Sequence, residues 1–223
     1  MADRLKFFQV YYEHSQKEEL YPFAIPYYSV GLTPYFENSI IAGLVPTVQS
    51  DYISVCSWRL KRKRGDCQLP LGNSLDLSEE KILKADADIC ILTPRSARHD
   101  VLTNAESWHG RPWVDAFNVF KGFLSDSGIE VGNLVPIYEN HFVARREIYH
   151  DYVKNLLIPA CDFVDSHPVF EANSGYVEKK RTAPDIPRVK RLLNRQDWPI
   201  LPFILERLFS IYIQGKNFKI VNT

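Results

Sequence analysis

Residues 138–159 read YENHFVARREIYHDYVKNLLIP, and the fold class turns on how this stretch is parsed. Its first half, Tyr138 to Ala144, is short and apolar and predicts a strand that carries Asn140 and His141 among its apolar residues. Its second half changes period. Ile148, Tyr152 and Leu156 recur every four residues with Tyr149, Val153 and Leu157 beside them, which predicts an amphipathic helix. Pro159 is the expected far end of that helix, because proline offers no N–H to the hydrogen-bond ladder. A buried strand that delivers a polar Asn-His pair straight into an amphipathic helix is a building unit of α/β domains, and the pair is suited to form the wall of a site.

Working outward, the same alternation of strand and helix recurs. Leu5 to Tyr12 (LKFFQVYY) reads as a first strand from its β-branched and aromatic content. Tyr35 to Leu44 has Ile40, Ile41 and Leu44 on one helical face. Ser50 to Trp58 is the second strand. Ser78 to Lys84 reads as a short helix with Ser78 as its N-cap and Glu79 and Glu80 in its first turn. Ile89 to Thr93 is the third strand. Pro112 suits the first turn of a helix that runs on through Val114 and Phe117 to Leu124. Trp198 to Ile213 predicts an apolar helix, and Asn217 to Val221 an edge strand. Between them, His14 to Tyr35 carries prolines at 22, 26 and 34 and predicts an ordered loop. Residues 165–197 form a polar excursion with a short helix near Arg188 to Asn194. Elements in this order predict one α/β domain over residues 1–223, with a mixed sheet flanked by helices.

Composition narrows the function classes. The chain has 223 residues, 45% of them hydrophobic, enough for a substantial core. Its 27 basic and 27 acidic residues cancel, which argues against a general coat for nucleic acid. Cys56, Cys67, Cys90 and Cys161 show neither CxxC nor zinc spacing. Cys56 and Cys90 lie in apolar runs and are expected as buried thiols in a reducing compartment. The N-terminus lacks a signal-peptide layout, and no apolar run reaches the roughly 18 residues of a membrane span. A cytoplasmic protein is the expectation. There is no P-loop, GxGxxG, GxSxG or HExxH.

Ligands of open α/β sheets bind beyond the C-terminal ends of the strands, so the residues that follow strands are the site candidates. Arg59 opens a run, RLKRKR over residues 59–64, in which five of six residues are basic. The run reads either as a solvated turn or as cations meeting a phosphate, with Arg59 the best placed. After the third strand come Thr93, Arg95, Arg98, His99 and Asp100. Trp108 and His109 precede the helix at Pro112 and read as packing residues or as a pocket lining. Glu206 and Arg207 interrupt an apolar helix, and charges there are paired, functional or turned to solvent. Asp86 and Asp88 have the Asp-x-Asp spacing of a divalent-metal site. They precede a strand instead of following it, which favours surface carboxylates.

Seven segments, taken in order, resemble a family of small bacterial glycosyltransferase-like proteins of capsular and surface-polysaccharide gene clusters. They are FFQVYY (7–12), TPYFENSIIAGL (33–44), DYISVCSWRLK (51–61), ADADICILTPR (85–95), ESWHGRP (106–112), YENHFVARREIYHDYV (138–153) and PFILERLFSIYI (202–213). The resemblance implies a GT-A-like, Rossmann-like α/β domain that moves a sugar from a nucleotide-sugar donor to an acceptor hydroxyl of a glycan. It aligns Arg59, Asp86, Asp88, Asn140, Glu206 and Arg207 with the family's polar positions. On that footing Glu206 is the expected general base, with His141 or His109 positioning the acceptor beside Trp108. Arg59, Arg95, Asn140 and Arg207 are expected on the donor side, and Asp86 and Asp88 would hold Mn2+ or Mg2+. The lack of an Asp-x-Asp after a strand supports a second reading, a non-catalytic module that binds a glycan, a nucleotide or a protein. A third has the basic run contacting nucleic acid, as in an enzyme that adds sugar to DNA bases.

Overall fold

Alternation along the strands sorts the core into two layers. In the first strand, β1 (Leu5–Tyr11), Leu5 and Phe7 pack on one side, and Phe8 and Val10 on the other. The same split holds in β3 (Tyr52–Ser57), where Tyr52 and Cys56 oppose Ile53 and Val55, and in β5 (Phe142–Arg145), where Val143 opposes Phe142 and Ala144. Period two places successive side chains on opposite faces of a sheet, so both faces of this one are covered. The computed structural model of the chain describes residues 4–30, 35–66, 77–93, 100–132, 134–137, 139–172 and 199–223.

With β2 (Ile25–Tyr28), β4 (Ile89–Ile91) and β6 (Ile220–Asn222), these strands form one sheet in the order β2-β1-β3-β5-β4-β6. β5 runs antiparallel to both its neighbours, and the remaining pairs are parallel. The chain is therefore α/β with a mixed six-stranded sheet flanked by helices, compatible with a Rossmann-like fold. The larger layer holds α1 (Glu37–Leu44), α4 (Val101–His109), α5 (Arg111–Asp126) and the helices after β5. The smaller holds Leu60 of α2 (Leu60–Asp66) and Ile82 of α3 (Glu79–Lys84). Among the described residues no helix is long and apolar enough to cross a membrane.

α3 forms as its sequence predicts. Ser78 Oγ accepts from the Lys81 N–H at 3.3 Å, and Glu79 and Glu80 occupy the first turn. Ser78→Ala should lower stability by about 1 kcal/mol. The change should appear as a lower urea midpoint with an unaltered slope.

Five expectations need correcting. The loop from His14 to Tyr35 contains a 3-10 helix, His14–Glu19, and the strand β2. Pro26 is tolerated in β2 because an edge strand is paired on one side only. The basic run is a helix, α2, and not a turn. Of the strand expected over Tyr138 to Ala144, only the part from Phe142 forms among the described residues, Tyr138 lying outside them. Glu139 and Asn140 have φ of 58° and 56°, which no strand accommodates.

Pro159, finally, does not end its helix. The helix runs from Arg146 to Asp165 as α6 (Arg146–Tyr152), a π-helical turn (Val153–Leu157) and α7 (Ile158–Asp165). The Ile158 N–H donates to the Val153 carbonyl five residues back. This widened turn makes room for a proline ring that would clash in a regular helix. The expected terminal helix is also divided, into Leu201–Leu205 and Leu208–Ile213, with Glu206 and Arg207 at the break. Arg95, Trp198 and most of the polar excursion, including Arg188 to Asn194, lie outside the described residues.

Candidate functional site

Because β5 runs against β3 and β4, its N-terminal end meets their C-terminal ends on one rim of the sheet. Tyr12 follows β1 at this rim, Trp58 and Arg59 follow β3, and Leu92 and Thr93 follow β4. Glu139, Asn140 and His141 precede β5 there. The first turn of α1 adds Glu37 and Asn38, which are buried, and the break between the last two helices adds Glu206 and Arg207, buried as well. Three of the four described non-glycine residues with positive φ, namely Phe36, Glu139 and Asn140, belong to this cluster. Such backbone is costly and concentrates where a fold must aim particular side chains.

Three carboxylates and three cations converge here. Lys63 Nζ lies 2.7 Å from Glu139 Oε1, and Arg207 Nη1 lies 3.4 Å from Glu206 Oε2. His141, buried, has Nδ1 3.8 Å from Glu139 Oε2. Burial pushes Glu206 from its ordinary 4.5 up to about 8. Arg207 and Lys63 pull it back, and Glu139 and Glu37 raise it further. Glu37 is also raised by burial, against the stabilising pull of its own backbone N–H, Tyr12 and Arg59. The Tyr12 hydroxyl faces Glu37 short of a well-formed hydrogen bond, and burial and then Glu37 raise it well above its ordinary value. A buried carboxyl pushed up to about 8, as Glu206 is, is suited to acid–base work.

An aromatic shelf adjoins these carboxyls. The His109 ring stacks on Phe203 at 4.3 Å between centroids, and Phe203 meets Phe36 edge-on at 6.0 Å. Burial, then the nearby Arg207, hold His109 down at about 3, so it is a neutral imidazole at working pH. Trp108, one residue earlier on α4, is 47% exposed.

The structure thus brings together Arg59, Asn140, His141, Glu206 and Arg207, with His109 alongside. It does not bring Asp86 and Asp88 to the rim. They sit at the opposite end of the sheet, where Arg145 contacts each at 3.0 Å and Lys219 N–H donates to Asp88 Oδ2 at 2.9 Å. The order of residues, carboxylates before strand, already indicated that placement. Among the described residues no three His, Cys, Asp or Glu side chains converge as metal ligands.

The basic run divides between duties. Arg59 and Lys63 reach the site, and Arg62 meets Glu19 at 3.4 Å. Arg64, buried, donates to the carbonyls of Leu92 at 2.5 Å and Thr223 at 2.6 Å and so ties α2 to the ends of β4 and β6. Tyr12, Glu37, Asn38, Lys63 and Glu139 are site residues that sequence patterns did not single out. The usable signal was the Glu37-Asn38 pair, two polar residues at the head of an otherwise apolar helix.

No family model, no curated protein and no solved structure matches the chain.

Proposed function

We propose that the chain is a glycosyltransferase on a GT-A-like form of the α/β fold, moving a sugar from a nucleotide-sugar donor to an acceptor hydroxyl of a glycan. The observation that carries this reading is Glu206, a buried carboxyl ionising near pH 8, set beside Arg207 at the strand-end rim. A general base works best when its own ionisation lies near the operating pH. Ionised Glu206 takes the proton of the acceptor hydroxyl as that oxygen bonds to the anomeric carbon. The bond from that carbon to the diphosphate oxygen breaks, and the nucleoside diphosphate departs with the electron pair. Arg59 and Lys63 are the cations that meet the charge developing on it. His141 and the shelf of His109 and Phe203 flank the acceptor side. Mn2+ or Mg2+ is implied by the family resemblance, but Asp86 and Asp88 are engaged by Arg145 at the far rim and do not fit a metal at this site. With a nucleotide sugar as donor, the reaction belongs in the cytoplasm.

Calorimetric titration with a panel of nucleoside diphosphates, with and without manganese, tests the donor half of this reading. One of them should bind, and Arg59→Met should weaken it by roughly tenfold or more, the loss expected for a charge-assisted contact. Binding without turnover would favour the non-catalytic module. If no nucleotide binds under either condition, the glycosyltransferase reading fails.

A further inference from the structure

We infer that the cavity at the end of the helix Leu208–Ile213 binds a zwitterionic amino acid with an apolar side chain. The cavity measures about 510 Å³ and lies between the turn after α5, the helix α6 with its π-helical turn, and the end of Leu208–Ile213. That volume falls within the range of small-molecule sites, roughly 300–1,000 Å³. Glu206 and Arg207 precede this helix, whereas Tyr212, Gln214 and Lys216 lie at its other end, so the cavity is separate from the rim. Asn155 and Leu156 reach it from the π-helical turn, a geometry frequent at functional sites. Such a site is independent of the glycosyltransferase reading.

The charges here are unevenly engaged. Both oxygens of Asp151 are taken: Oδ1 accepts from Asn155 Nδ2 at 2.6 Å, and Oδ2 from the Tyr212 hydroxyl at 2.5 Å. Gly215, at φ 71°, turns the chain so that Lys216 folds back over Tyr212. Its Nζ lies 3.4 Å from the ring centroid and 3.8 Å from Asp151 Oδ2, beyond hydrogen-bond reach of that oxygen. An ammonium carries three donors, and that of Lys216 makes no hydrogen bond among the described residues. Burial lowers the Lys216 pKa from its ordinary value, and Asp151 pulls it back. A ligand anion beside it would act in the same sense as Asp151. Donation to Asp151 also fixes the Asn155 amide, leaving its Oδ1 as an acceptor turned away from that carboxylate. Glu130 adds a carboxylate to the lining, and Ile129, Leu156 and Ile211 supply its apolar part. The cavity therefore calls for acceptors at Lys216 and donors at Asn155 and Glu130. A simple anion meets Lys216 but is opposed by Glu130 and Asp151. A simple cation meets Glu130 but is opposed by Lys216. A zwitterion answers both signs, and an apolar side chain covers Ile129, Leu156 and Ile211. An α-amino acid carries all three features in one small molecule.

The test is a ligand-observed NMR titration of the full chain with two series of probes. One is phenylalanine, phenylpropionate and phenethylamine. The other is leucine, isocaproate and isopentylamine. Within each series the second probe lacks the ammonium and the third lacks the carboxylate. At least one amino acid should bind about tenfold or more tighter than both of its analogues, the difference expected for one charge-assisted contact. Lys216→Met keeps an apolar stem over Tyr212 and removes the charge. It should cut the affinity for that amino acid about tenfold and leave its amine analogue no weaker. Glu130→Gln should weaken the amino acid and the amine but not the acid. The ranking of the probes on the unmodified chain decides the matter should Lys216→Met fail to fold. Amino acids that bind no tighter than their analogues, or not at all, overturn the inference, as does binding that neither substitution weakens.

Discussion

Replacing Glu206 with glutamine should stabilise the protein at alkaline pH and leave it unchanged in acid. The unfolded chain releases the Glu206 proton near pH 4.5, whereas the folded chain holds it to about 8. Between those values the folded state binds the extra proton, so the contribution of Glu206 to stability is complete below pH 4.5. It is lost as pH rises toward 8 and is flat beyond. Glutamine has the same shape and no proton to lose. The difference in Tm between variant and parent should therefore be near zero at pH 4.5. It should grow to several degrees in favour of the variant by pH 9, corresponding to a few kcal/mol. Thermal unfolding followed by circular dichroism at half-unit pH steps would read it directly. A difference that stays constant across the series would mean that Glu206 is ionised throughout and that its burial does not control its charge.

Phe142→Ala should produce the largest loss of stability. Phe142 opens β5, the strand that joins β3 to β4 through antiparallel pairing, and its side chain is 0% exposed. Its ring stacks on Phe209 with centroids 3.7 Å apart and lies 5.0 Å from the Tyr149 ring. Truncation removes this apolar volume and leaves a cavity between the sheet and the last helix. Such changes cost about 3–5 kcal/mol, which for a chain of this size lowers Tm by roughly 10 °C. A loss under about 1 kcal/mol would show that the helix Leu208–Ile213 is not packed on β5 as described.

Much of the fold was legible where local signals agreed. β1 and β3 combine apolar content with period two, and Ser78 with Glu79 and Glu80 supplies both a cap and a favourable charge for α3. What escaped was governed by tertiary context. Pro26 reads as a breaker until the strand holding it is known to be an edge. Pro159 reads as a stop until the turn before it widens to i→i+5 bonds. Glu139 and Asn140 read as strand because a left-handed pair leaves no periodic trace.

The site divides in the same way. Glu206, Arg207, Asn140 and His141 stood out as polar residues in apolar surroundings, and each lies at the rim. Glu37 and Lys63 were masked by commonplace roles, a helix's first turn and a basic run. Their convergence depends on β5 entering the sheet against its neighbours, which no local pattern encodes. Asp86 and Asp88 show the converse, a motif whose spacing is right and whose end of the strand is wrong.

The central claim is that Glu206 serves as the base of a sugar transfer at this rim. Its most direct test follows nucleoside diphosphate release from a panel of nucleotide sugars with mixed glycan acceptors, for the parent chain and Glu206→Gln, from pH 6 to 9. The account predicts release from at least one donor, with a rate that climbs toward pH 8 and then levels. It predicts a loss of roughly 100-fold or more in the glutamine variant, with nucleotide binding retained. Release from no donor, or a variant as fast as its parent, would contradict it.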